Sequence, residues 1–182
     1  MPRRPAKPIS EAGLHAAALA YLERFAASTE MVRRTLLRRV EHAARAGVAE
    51  RPAGAALVER VLARLTSARL LDDTDFAARR AESLHRRGAS ARAIHARLAA
   101  LGIDAEAIRA VLATRNAAPG DPELAAALQL ARRRRLGPFR AGDRAAHRLR
   151  DLGVMARAGF SAAIAHRVVD APDTASLDAP DP

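Results

Sequence analysis

Three glycines, each followed by an apolar residue, punctuate the chain: Gly47-Val48, Gly102-Ile103 and Gly159-Phe160, 55 and 57 residues apart. Each closes a stretch of helical periodicity, at the position just past a helix end where glycine takes the left-handed backbone at little cost. A constant period of such stops restricts the chain to a string of short helical units. Flanking offsets agree as well. Asp104, Ile108, Val111 and Leu112 follow Gly102 as Ser161, Ala165, Val168 and Val169 follow Gly159, and Leu98 and Leu101 precede Gly102 as Met155 and Ala158 precede Gly159. Asp104 and Ser161 are both natural N-caps.

The residue types point the same way. Alanine, the best helix former, is the commonest residue, aromatics make up 3%, and β-branched or aromatic alternation is missing. The expected fold class is all-α: tandem repeats of three-helix units, helix-turn-helix-like, in an elongated, curved array. In the first unit Leu14, Ala18, Tyr21, Leu22 and Phe25 read as one apolar face. Ser28 reads as the cap of a helix that buries Val32, Leu36, Val40 and Ala43. Arg51 to Gly54 reads as an insertion before a third helix carrying Val58, Val61, Leu62 and Leu65. The expected organisation is a basic tail without structure over 1–10, units over 11–71, 72–118 and 119–170, and an acidic tail without structure over 171–182.

With no cysteine, disulfides, thiolate metal sites and a catalytic thiol are excluded. The six histidines form no i, i+4 ligand pair, and no phosphate loop, nucleophile elbow or dinucleotide fingerprint is present. Asp72, Asp73 and Asp75 lack the spacing of a calcium loop and read as the charged start of a helix. The expectation is therefore no enzyme, no catalytic residue, no metal and no cofactor. MPRRPAKPIS lacks the apolar run of a signal peptide, and no segment reaches the roughly 18 apolar residues of a membrane span. A soluble, cytoplasmic monomer is expected.

Charge carries the functional signal. The net charge is +11, from 30 arginines and a single lysine, Lys7, against 20 acids. Residues 1–47 and 116–160 each carry +5, so the positive field is spread along the chain, as an extended polyanionic partner requires. Arg34, Arg38 and Arg45 lie opposite the apolar face of their helix. Arg86 and Arg87 precede Gly88, with Arg92 and Arg97 on the helix beyond. Arg132 and Arg133 begin a run of four arginines, with Arg140, Arg144 and Arg148 following. These twelve are the candidate contacts to a partner or to phosphate, weighed against a solvated face and helix-dipole compensation. Arg80 falls between Phe76 and Leu84 on the wheel, on the apolar side of its helix.

Order and spacing together resemble the RecX family, bacterial regulators of the RecA recombinase. The residues that carry this are Ala18 through Phe25, Ser28 and Arg33 through Arg39; Leu70 through Asp73, Phe76-Ala77, Arg87-Gly88, Ile94, Leu98 and Gly102-Ile103; and Arg157 through Ser161. The chain departs from the family's habits at Arg80, Leu84, Ser90, Arg97 and Leu101. The resemblance implies tandem three-helix repeats and binding within the groove of the RecA–DNA filament. It also implies limits on strand exchange, ATP hydrolysis and filament growth, with the RecA filament and single-stranded DNA as partners. The alternative reading is a helix-turn-helix-like nucleic-acid-binding protein acting independently of RecA.

Overall fold

The computed structural model describes residues 8–177, and every regular element among them is helical. The elements are α1 (Glu11–Leu22), α2 (Thr29–Arg45), α3 (Arg51–Ser67), α4 (Asp73–Arg86), α5 (Ala91–Ala100), α6 (Ala105–Asn116), α7 (Pro122–Arg134), α8 (Arg144–Arg157) and α9 (Ala162–Val169), with 3₁₀ turns at Gly137–Phe139 and Ala175–Leu177. They form tandem three-helix repeats, α1–α3, α4–α6 and α7–α9. Gly47, Gly102 and Gly159 each follow the second helix of a repeat, with φ of 73°, 80° and 91°.

Two compact units emerge. One is the chain up to Ala77 with Leu101–Asp104; the other is Ala78–Ala100 with Ala105 onward. In the first, the apolar periodicity of α2 buries Val32, Leu36, Val40 and Ala43 against Val58, Val61, Leu62 and Leu65 of α3 and Leu14 and Ala18 of α1. Arg51 to Gly54 is not an insertion but the first turn of α3, with Pro52 at a position where its missing N–H costs nothing. Gly54 is buried, and a Cβ there would lie 2.4 Å from Val40 Cγ1, so the glycine sets how closely α2 and α3 approach. The face read for α1 is also corrected. The helix stops at Leu22, and Phe25 is 48% exposed, its ring 5.2 Å from Tyr21 and covered by Arg24.

In the second unit Leu124, Ala126, Ala127, Leu130 and Ala131 of α7 pack with Met155, Phe160, Val168 and Val169. Asp151 of α8 is 1% exposed and bonds Arg140 through both carboxylate oxygens while accepting from Gly137 N–H. Burial pushes its pKa up, but those bonds outweigh it and leave the carboxyl below its usual range. On α4 the buried stripe is Phe76, Ala77, Ala81 and Leu84, and Arg80 is exposed, one step off the face expected for it.

The expectations for the tails fall largely on 1–7 and 178–182, outside the described residues. Within them, Ser10 caps α1 and Ile9 packs on the core. Residues 171–177 have structure where none was expected. Ala171 and Leu177 are buried, and the Arg144 guanidinium binds the carbonyls of Ala171 and Pro172.

One joint occurs twice. In the first unit Ser28, fully buried, caps α2 through Met31 N–H and donates its hydroxyl to Leu101 O at 2.5 Å. Thr29 N–H donates to Asp73 Oδ1 at 2.7 Å, and Gly102 sits where a Cβ would lie 2.3 Å from Glu30. In the second unit Ser90, also fully buried, caps α5 through Ala93 N–H and donates to Ala158 O at 2.7 Å. Ala91 N–H donates to Glu123 Oε2 at 3.0 Å, and a Cβ on Gly159 would lie 2.7 Å from Ser90 Oγ. A helix N-terminus thus receives the glycine corner of a later helix, amide dipoles facing carbonyls.

Candidate polyanion interface

The arginines of α2 are exposed but mostly matched by acids. Arg34 bonds Glu30 at 2.7 Å, Arg45 bonds Glu41 at 2.8 Å, and Arg38 bonds the Thr35 hydroxyl. Arg51 joins Arg45 on Glu41 and, with it, holds that carboxyl down at about 2. The stripe read from the sequence therefore presents less bare charge than its composition implies.

Three later candidates are occupied within the fold. Arg140 is the partner of buried Asp151. Arg144 closes the end of α9 by donating to the carbonyls of Val169, Ala171 and Pro172. Arg148 makes two bonds to Asp170, which Arg148 and His166 together bring down to about 2. Arg92 remains exposed, but its stem lies against Gly159 at the joint, where it is 3.3 Å from a Cβ built on that glycine.

The remaining candidates converge. Gly88, at φ 75°, turns the chain out of α4 directly against α7; a Cβ there would lie 2.6 Å from Leu130 N and 2.9 Å from Ala126 O. Only glycine satisfies both the dihedral and the backbone approach. The contact sets Arg86 and Arg87 beside Gln129, Arg132 and Arg133 around an open depression of about 320 Å³. Next to it is a recess of about 290 Å³ that shares Arg87 and Arg133 and adds Arg97, Arg134 and Arg157. Among the described residues no acid lines either hollow. Arg132 is steadied over the Phe139 ring at 5.5 Å, and Arg86 has only a long 3.9 Å contact to exposed Glu82. Seven guanidinium groups around two adjoining hollows form a concave positive surface suited to phosphate or carboxylate oxygens.

Arg134, Arg157 and Gln129 were absent from the sequence candidates. Arg134 belongs to the recognised arginine run and Arg157 precedes a glycine corner, so both carried a local signal; Gln129 carried none. Asp72 caps α4 by accepting from Asp75 N–H, while Asp73 serves the first joint. No metal-binding group of acids and histidines occurs among the described residues, and no described helix is long and apolar enough to cross a membrane.

Tandem three-helix repeats carrying a concave arginine surface define an all-helical repeat protein among the described residues. The family model for the second three-helix domain of RecX matches residues 72–112. The regulatory protein RecX of Myxococcus xanthus (strain DK1622) is 42% identical over 171 residues, covering 93% of this chain and 90% of that protein. The regulatory protein RecX of Thermobifida fusca (strain YX) is 37% identical over 114 residues, covering 62% and 60%. A crystal structure of regulatory protein RecX superimposes with a TM-score of 0.61 at 20% identity, covering 88% of this chain and 72% of that one, a likeness of fold. The chain belongs to the RecX family of regulatory proteins.

Proposed function

We propose that this protein binds the RecA–DNA filament as a cytoplasmic monomer and restrains recombinase and ATPase activity during DNA repair and recombination. The observation that carries the reading is near full-length kinship to a regulatory RecX, joined to an acid-free arginine surface in the second compact unit. The surface supplies charge without a code for sequence, which suits a partner whose phosphates repeat along a filament. Arg86, Arg87, Arg97, Arg132 and Arg133 face that partner, while Arg34, Arg38 and Arg45 add a weaker, acid-compensated field.

The test is ATP hydrolysis by RecA on single-stranded DNA with substoichiometric protein, run beside anisotropy on the DNA alone. Inhibition at ratios well below one per RecA, lost in an Arg87→Glu/Arg133→Glu variant, is expected. The same arginines also favour a second reading, a nucleic-acid-binding protein independent of RecA. Inhibition that merely tracks occupancy of naked DNA would overturn the filament reading in its favour.

A further inference from the structure

Each repeat carries the same corner after its second helix: Ala46-Gly47-Val48, Leu101-Gly102-Ile103 and Ala158-Gly159-Phe160. Two of the three are filled. The carbonyls of Leu101 and Ala158 receive a buried serine hydroxyl, a helix N-terminus covers each glycine, and Ile103 and Phe160 are 5% exposed. The first corner is bare. A Cβ on Gly47 would have nothing within 4 Å, and Val48 is 38% exposed. Among the described residues no donor reaches Ala46 O.

We infer that the Ala46-Gly47-Val48 corner docks a serine- or threonine-capped helix N-terminus presented by the recombinase of the filament. The inference rests on the filament reading above and names a protein contact in the first compact unit, apart from the arginine surface. Charge complementarity selects the occupant. The corner ends α2 and satisfies the His42, Ala43 and Ala44 carbonyls itself, so it offers the Ala46 carbonyl and the negative end of a helix dipole, which a helix N-terminus with a hydroxyl donor completes. Both intramolecular joints are built this way. The equivalent helix start in a second copy is a poor occupant. The N-cap of α8 is Asp143, whose carboxylate has no proton to donate and would face the Ala46 carbonyl.

The experiment uses the full chain and two variants, Gly47→Asn and Val48→Asp, with RecA–single-stranded DNA filaments as the probe. Asparagine tolerates the left-handed backbone, and the open space above Gly47 accepts its side chain, so thermal unfolding of Gly47→Asn should match wild type. The matched change Gly102→Asn, set against Glu30 at 2.3 Å, should lower the midpoint. Filament affinity at fixed salt should fall about tenfold or more in both corner variants, since each blocks or charges a surface that must be dry when docked. Naked-DNA affinity should not move for Gly47→Asn. Filament binding equal to wild type in both variants overturns the docking corner and leaves the regulator reading standing. A wild-type protein that does not bind the filament overturns both. Self-association by sedimentation that Gly47→Asn abolishes would assign the corner to a second copy and overturn the recombinase as occupant.

Discussion

Replacing Ser90 separates two roles that one hydroxyl performs. It accepts from Ala93 N–H as the N-cap of α5 and donates to Ala158 O, with the residue fully buried. Ser90→Ala removes the cap, at about 1 kcal/mol, and leaves the part-buried Ala158 carbonyl without its donor, at about 1–3 kcal/mol. The expected loss is about 2–3 kcal/mol. Ser90→Asp is the sharper change. Aspartate caps helices as well as serine does, so a purely local role makes it nearly neutral. At the joint its carboxylate meets the Ala158 carbonyl with no proton to give, and a buried, uncompensated charge costs about 3 kcal/mol or more. Aspartate should therefore be worse than alanine. Ser161 provides the control, because it caps α9 through Ile164 N–H and is exposed; Ser161→Asp should be near neutral. Urea unfolding followed by circular dichroism reads the differences as midpoint shifts at constant slope. If Ser90→Asp unfolds with Ser161→Asp and above Ser90→Ala, the joint contributes nothing to stability.

Three further outcomes follow from the same geometry. Gly54→Ala gains about 1 kcal/mol of helix propensity but drives a methyl into the stiff, buried Val40, at about 1–3 kcal/mol; it should destabilise the wild type and stabilise a Val40→Ala background, and the same sign in both would contradict the packing. Arg69 holds a left-handed φ of 55° past the end of α3, so Arg69→Gly should raise stability by about 1 kcal/mol in the same urea assay, with a loss counting against backbone strain there. Asp170 falls from 3.8 to about 2 because Arg148 and His166 bond it; its stabilising contribution is complete above pH 3.8 and disappears as pH drops through about 2. An Asp170→Asn protein should lack that part of the acid-unfolding slope, and a parallel profile would remove Asp170 from the account.

Much of the architecture was legible in the chain. The interval between glycine corners gave the repeat, and the 3.6-residue pattern gave the buried face of α2, because both are local consequences of helix geometry. Misreadings fell where a neighbour decides. Pro52 and Gly54 look like a break, yet Pro is at home in a first turn and Gly54 answers to Val40 on another helix. Phe25 looks like core, but α1 stops three residues earlier and leaves it on the surface. The acid partners of Arg140 and Arg148 lie 11 and 22 residues away, so no wheel reveals that these arginines are engaged.

Sequence alone determined the helices, their glycine stops, the caps at Ser28 and Ser161, and a positive charge too large to be local. These are properties of single residues and their immediate neighbours. Only the tertiary structure decided which charges remain open, since that depends on which acids the fold carries to each arginine. It also decided that the two buried serines serve a second helix as well as their own, and that one of three equivalent corners is left bare. A hydroxyl and a carbonyl 68 residues apart become partners only when packing brings them together and buries the serine.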